Sequence, residues 1–426
     1  MRVTIPELSL VLLIGPAGSG KSTFAARHFR HSEVLSLDAV RTMIADEDTD
    51  EGALEAAWGA LVELAARRME WGRLTVIDAN LVAAARRQAL LQLAAEHHYI
   101  ASAFVFATPE PTCQIWNGQR PDCSVSPLQV SRQHEQLRAS EGALAGEGFR
   151  HHFRFASAEE LNAVEVNRLP LWSSRREEVG PFDIVGSVHG RYDELAELLR
   201  RLGYRLTPVL GHPRGRKLVF LGDLVDHGPR NADVLRLVMS AVDAGVAFSV
   251  PGNHDARLVR WLRGEMVDQD GGMAATVAEF AAAPVEFRQA VESFLYSSVS
   301  HYVFDTGNLV VAHAGMKESL QGRGSAGVRA FALYGEFQGE REAEAEGTVP
   351  GWVLEYQGAA RVVYSHPLVS EPLWLNQTVN LDTGAASPGG KVSALRYPEM
   401  QLISVPVAMP AEAAATSPAE AIRSIR

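Results

Sequence analysis

An α/β and α+β chain of two units is predicted, on three observations. Up to about residue 168, apolar strand-like runs alternate with amphipathic helical stretches, the pattern of a doubly wound parallel sheet. The stretch Leu169-Pro-Leu-Trp-Ser-Ser-Arg-Arg-Glu-Glu-Val-Gly180-Pro181 mixes prolines and charges without a period and reads as a connector. From Phe182 a new series of short apolar strands begins, each ending in polar or metal-competent residues. A chain of 426 residues exceeds one ordinary core, and 46% hydrophobic content is ample for more than one. The expected boundaries are 1–168, a linker at 169–181, a second unit at 182–409, and a tail at 410–426 rich in Ala, Pro, Ser and Glu. The acidic run Glu336–Glu346 reads as a solvated loop or helix face.

The first unit is expected to place strands at Leu8–Ile14, Val34–Leu37, Leu74–Asp78 and Phe104–Ala107. Directly after the first comes Gly15-Pro-Ala-Gly-Ser-Gly20-Lys21-Ser22-Thr23, with the full Gly-x4-Gly-Lys-Ser spacing. Glycines at that spacing let backbone N–H groups close around phosphate oxygens at a helix N-terminus. Gly15, Gly18, Ser19, Gly20, Lys21, Ser22 and Thr23 are thus the nucleotide-binding candidates, Lys21 suiting the β/γ-phosphates and Ser22 the Mg²⁺. After the second strand, Asp38 and Arg41 stand three residues apart, a candidate base for an acceptor hydroxyl and a candidate clamp on substrate or on Asp38. Asp78 ends the third strand, where it could assist Mg²⁺. Arg120, after the Phe104 strand, is a candidate lid arginine for stabilising transferred charge.

In the second unit, Gly186-Ser187-Val188-His189-Gly190, Gly222-Asp223 through Pro229, Gly252-Asn253-His254-Asp255, His313-Ala-Gly315 and Ser365-His366 each follow an apolar strand. Loops from one sheet edge would gather imidazole, carboxylate and amide oxygen around divalent ions about 3.5 Å apart, which activate water and clamp phosphate oxygens. His97, His98, His151 and His152 have no such context and read as structural.

A formal charge of −11 argues against general nucleic-acid coating, though not against a local basic groove. Cys113 and Cys123 are too few for a disulfide framework, so a reducing compartment is expected. With no bilayer-length apolar span and no leader pattern, a soluble cytoplasmic protein is expected.

Over nearly its whole length the sequence resembles the bacterial polynucleotide kinase-phosphatase of RNA repair, a P-loop 5′-kinase followed by a calcineurin-like metallophosphoesterase β-sandwich with flanking helices. Besides the motifs above, Thr4-Ile-Pro-Glu-Leu-Ser-Leu-Val, Pro170-Leu-Trp172, Gly180-Pro-Phe-Asp183-Ile, Asn380-Leu-Asp382-Thr-Gly384 and Gly390-Lys-Val-Ser-Ala-Leu-Arg-Tyr-Pro398 carry it. The resemblance implies transfer of the ATP γ-phosphate to 5′-OH ends and removal of 3′-phosphates, with Mg²⁺ in the kinase and Mn²⁺ or Ni²⁺ in the phosphoesterase. It also implies RNA or DNA ends as partners, and an RNA-repair protein such as a ligase or methyltransferase; a ligase region is not expected in this sequence.

The departures bear on chemistry. The family reads Gly-Asp-x-His-Gly where Ser187 stands, so one metal site loses an anionic ligand while His189 and the implied bridging Asp223 remain. Asp183 cannot replace it, because four residues of extended strand span roughly 13 Å. Asp223, Asn253, His313 and His366 would still hold a second ion, with His254 as the proton donor to a leaving group. The family places arginine at His227 and Gly-His-Thr at Ser365-His366-Pro367. In the kinase half it has arginines at Trp116 and Cys123, and Asp-Ala-Thr-Asn at Asp78–Leu81. The leading expectation is a 5′-end kinase joined to an impaired phosphoesterase. A nucleotide-binding pseudoenzyme that regulates a partner, and a single-metal phosphoesterase with another substrate, are the alternatives.

Overall fold

The computed structural model describes residues 1–46, 50–120, 125–206, 210–269, 272–336 and 348–408. Cys123, residues 337–346 of the acidic run and the tail 410–426 lie outside the described residues. The chain divides into two compact units, Met1–Leu171 with Arg323–Ser325, and Trp172–Gly322 with the residues from Ala326 onward.

The first unit is built on a five-stranded sheet in the order Val34–Ser36, Thr75–Asp78, Ser9–Ile14, Ile100–Phe106, His151–Phe155, with every neighbouring pair parallel. Leu10 through Ile14 are fully buried because helices cover both faces, the reason this strand is a continuous apolar run rather than an alternating one. Leu10, Leu12 and Ile14 pack with Leu61, Met69 and Leu90, while Val11 and Leu13 pack with Phe24, Phe104, Phe106 and Phe155. A separate parallel pair, Arg2–Pro6 with Glu165–Leu169, joins the two ends of the unit. The edge strand His151–Phe155 carries His151 and His152, two of the four histidines expected to be structural.

The second unit stacks two sheets. One runs Ala247–Ser249, Lys217–Phe220, Phe182–Val185, Lys391–Tyr397, Gln401–Pro406; the other runs Leu373–Leu375, Thr378–Asn380, Arg361–Tyr364, Leu309–Ala312, His301–Phe304, Ser174–Arg175. Phe182, Ile184, Val219, Leu221, Phe304, Val311, Val363 and Leu395 fill the space between them. Helices Tyr192–Leu202 and Asn231–Asp243 cover the outer face of the first sheet, and Val328, Ala332 and Trp352 pack on the second. The metal-competent residues all follow C-terminal ends of strands. The expected linker is corrected in part: Ser174–Arg175 within it pairs parallel with Val303 and Phe304 as an edge strand, and Ser173 and Ser174 are buried. Two residues have too short a period to be read as a strand from sequence.

Candidate functional site

In the first unit, the strand Ser9–Ile14 delivers the glycine-rich loop to the N-terminus of helix Lys21–His28. Gly18 has φ 74° and Gly20, the N-cap, φ 94°. A Cβ on Gly18 would lie 2.2 Å from the Cys113 carbonyl, so both conformation and space require glycine there. Lys21 Nζ donates to the Gly15 and Pro16 carbonyls at 2.8 and 2.7 Å. Burial lowers the pKa of its amine, against the pull of Asp78. Asp78 is buried and its pKa raised, chiefly by desolvation, and it accepts a hydrogen bond from Ser22. A buried carboxylate beside the loop serine fits a Mg²⁺ there, and Ser22 and Asp78 would hold it.

Two cavities meet at this loop. One, of about 410 Å³, is lined by Gly18 through Phe24 with Arg27, Trp116, Gln119, Arg120, Ala158, Leu161 and Asn162. The other, of about 480 Å³, is lined by Lys21, Ser22, Asp38, Asp78, Asn80, Arg86, Arg120, Arg132 and Gln133, among others. Lys21, Ser22 and Arg120 border both. Asp38 lies in the first turn of helix Leu37–Ala45, capped by Ser36, whose hydroxyl accepts from Ala39 N at 3.3 Å. Of the two roles open to Arg41, a clamp on substrate or on Asp38, the geometry does not show the second. Asp38 pairs with Arg120 at 3.4 Å, while the buried Arg41 donates from Nη1 to the Asp46 carbonyl at 3.3 Å.

In the second unit, five strand ends converge on a cavity of about 280 Å³ lined by His189, Asp223, His227, Asn253, His254, His366 and Asp382, among others. His313 Nε2 lies 2.9 Å from Asn253 Oδ1 and 3.4 Å from Asp223 Oδ2, and the His366 ring centroid is 5.2 Å from that of His313. His189 Nε2 is 3.7 Å from the same Asp223 oxygen. Thus Asp223, Asn253, His313 and His366 are brought together as expected, with His189 on the other side of the carboxylate. Ser187 is turned away: its backbone N donates to Ser365 Oγ at 2.7 Å, and its hydroxyl lies 2.9 Å from that oxygen and 3.1 Å from the Ser365 carbonyl. Asp183 is fully buried between Arg216 and Arg396.

Burial pushes Asp223 well above the usual carboxylate range. Burial holds the neighbouring His189 and His313 well below their usual pKa, while the carboxyls of Asp255 and Asp382 add to the upward push on Asp223. Three buried carboxyls, Asp223, Asp255 and Asp382, stand with the neutral imidazoles of His189 and His313 and only His254 raised, a donor set short of positive charge, so the residues fit a divalent ion.

Sequence reasoning did not assign the supports. Asp255 accepts from Leu224 N and Gly252 N, both at 2.9 Å, and so ties together the loops carrying Asp223 and Asn253. Asp226 Oδ2 lies 2.6 Å from His254 Nδ1 and accepts from Arg257 at 2.8 Å, while Oδ1 accepts from Thr276. Burial lowers the His254 pKa, but Asp223 and Asp226 outweigh it and raise it to about 9. Asp382 also faces the cavity, its pKa raised by burial to about 6. Asp382 follows the strand Thr378–Asn380, a strand-end position that the sequence shows as metal-competent without giving the residue a role. His189, Asp223, Asp226 and His227 all have positive φ, the local strain that clusters at sites built for chemistry.

The comparisons agree with this geometry. Residues 10–141 match the AAA domain family and residues 180–366 the calcineurin-like phosphoesterase family. Similar proteins include the bis(5′-nucleosyl)-tetraphosphatase PrpE [asymmetrical] of Anoxybacillus flavithermus, 41% identical over 236 residues, covering 54% of this chain and 95% of that protein. The enzyme of the same name from Bacillus cereus is 41% identical over 235 residues, with the same coverage. A cold-active protein-tyrosine phosphatase from a Shewanella species aligns at 17% identity and TM-score 0.35, over 55% of this chain and 80% of its own. The chain belongs to the calcineurin-like phosphoesterases. It carries in addition an N-terminal P-loop kinase-like domain, an architecture consistent with a polynucleotide kinase-phosphatase; the PrpE relatives match only the phosphoesterase part. Among the described residues no helix is long and apolar enough to cross a membrane.

Proposed function

We propose that the chain is an ATP-dependent polynucleotide 5′-hydroxyl kinase whose attached phosphoesterase hydrolyses weakly. The observation that carries this reading is the pair of cavities sharing Lys21, Ser22 and Arg120. A nucleotide with its base towards Trp116 and Asn162 would bring its terminal phosphate to that shared border. An acceptor hydroxyl in the second cavity would approach from the opposite side, as in-line transfer requires. Asp38 takes the hydroxyl proton, Arg120 neutralises charge on the transferred group, and the loop amides orient the phosphates. Arg86 and Arg132 line the acceptor cavity and suit the phosphates of an RNA or DNA end. Mg²⁺, when bound, supplies charge neutralisation on the phosphates.

Labelled ATP with a 5′-OH oligonucleotide is the test. Transfer that disappears in Lys21→Ala is expected, and equal incorporation by both proteins would overturn the reading.

For the second unit, the 41% identity to tetraphosphatases supports a second reading, hydrolysis of a nucleoside polyphosphate. Asp223, Asn253, His313 and His366 would hold an ion, which when bound supplies an activated water. His254, oriented by Asp226, is the proton donor that the site offers. The absence of a carboxylate at 187 and of an arginine at 227 makes weak turnover the expected result. Comparing release from diadenosine tetraphosphate and from a 3′-phosphorylated oligonucleotide separates this reading from end repair.

A further inference from the structure

The side chain at 187 is committed to Ser365, and Asp183 is neutralised by Arg216 and Arg396. Neither supplies a ligand to the His189 side of the cavity. A different side chain stands there. Ligand nitrogens of His189, His227 and His254 all lie within 4.8 Å of one another, and the three ring centroids are separated by 5.1, 4.9 and 5.4 Å. His189 is held through Nδ1, 3.1 Å from the Val225 carbonyl, with Nε2 on the Asp223 side. His254 is held through Nδ1 on Asp226, which leaves its Nε2 as the ligand atom. Each thus has the outer partner that fixes the ring of a metal-binding histidine.

His227 is exposed at the mouth and has φ 62°. A left-handed non-glycine residue costs about 1–2 kcal/mol and persists where its surroundings over-determine it. Gly272 is packed so closely that a Cβ on it would lie 2.3 Å from His227 N. Two ligands about 2.1 Å from one ion can be no more than about 4.2 Å apart, so the widest pair would close by some tenths of an ångström through ring rotation.

We infer that His227, with His189 and His254 and beside the Asp223 carboxylate, forms a nitrogen-rich divalent-metal site that replaces the one residue 187 does not complete. Imidazole ligands suit Zn²⁺, Co²⁺ or Ni²⁺, whereas Mg²⁺ and Mn²⁺ prefer oxygen donors, so the substitution changes which ion the unit takes. With that ion bound, His254 is withdrawn from the proton-donor role that the metal-free geometry offers, so hydrolysis is expected to be weak without loss of metal. The inference rests on the phosphoesterase unit and is independent of the kinase reading.

The test is a Co²⁺ titration of the chelator-treated full chain, without nucleotide, followed by visible absorption and elemental analysis. The wild type is expected to take two ions per chain. His227→Ala should take one fewer. His227→Cys should retain both and gain a near-ultraviolet thiolate-to-cobalt charge-transfer band absent from the wild type. Unchanged stoichiometry in folded His227→Ala, or no new band in the cysteine variant, overturns the inference; the second arm decides it even where alanine disturbs the fold. Phosphoryl transfer from ATP should be the same in all three proteins, so a failed kinase reading shows separately.

Discussion

Ser187 and Ser365, 178 positions apart, form one hydrogen-bonded unit: their hydroxyl oxygens are 2.9 Å apart, and the amide of the first donates to the hydroxyl of the second at 2.7 Å. Both positions depart from the pattern that the chain otherwise resembles, and the two departures touch. A Cβ on Gly186 would also lie 3.0 Å from Ser365 Oγ, so that hydroxyl fills space beside the strand end.

Ser187→Asp alone should therefore place a carboxylate against the Ser365 carbonyl and hydroxyl. In metal-free protein the expected cost is about 3 kcal/mol, a fall in Tm of roughly 10 °C. Adding Ser365→Gly makes room and should recover most of that loss. Thermal melts of the single and double variants check this; a single variant as stable as wild type would show that the serine pair imposes no constraint.

Lys21 and Arg120 border both cavities of the first unit, so each should affect transfer more than nucleotide affinity alone would require. Arg120→Ala is expected to lower kcat roughly 100- to 1000-fold with a smaller change in KM for ATP. Lys21→Ala should lose both binding and transfer. Calorimetry with ATP and steady-state kinetics separate the two, and an Arg120 variant altered only in KM would place that guanidinium outside the reacting centre.

The local patterns were legible because they are local. The Gly-x4-Gly-Lys-Ser spacing after an apolar run specifies strand, loop and helix within about fifteen residues, and the strand-end positions of Asp223, Asn253, His313 and His366 follow the same logic. Pairings across the chain were not legible. Asp38 finds Arg120 rather than its helix neighbour Arg41, Asp226 holds His254, and Asp255 clamps two loops from the interior of the site. No periodicity encodes a partner that tertiary packing supplies. The linker strand Ser174–Arg175 was missed for the same reason, since its partner lies at Val303 and Phe304.

Trp116 tests the orientation of the nucleotide. Its ring lies over the loop, where a Cβ on Gly20 would be 3.5 Å from Trp116 Cζ3. Beside it, Arg27 Nη1 donates to Asn162 Oδ1 at 2.8 Å. A base stacked on that indole should quench its fluorescence, and Trp116→Ala should weaken ATP binding by about 1–3 kcal/mol. Titration of the variant with ATP and with inorganic triphosphate checks this: equal losses for both would place the base elsewhere.

His254 gives the second unit a pH signature. Despite burial, Asp223 and Asp226 raise its pKa from 6.5 to about 9. A histidine raised in the folded state stabilises fully below its unfolded pKa, and that stability is lost as pH rises through the folded value. In metal-free protein the contribution, about 3 kcal/mol, should be present near pH 6.5 and gone above about pH 9. Asp223, itself raised by burial, loses stability in the same direction as pH climbs, so a variant is needed to tell the two apart. Asp226→Asn removes the carboxylate 2.6 Å from His254 Nδ1 and leaves Asp223 in place. It should lower the His254 midpoint in an NMR titration and flatten the upper part of the stability profile measured by urea unfolding. An unchanged midpoint would mean that Asp226 positions the ring without holding its proton.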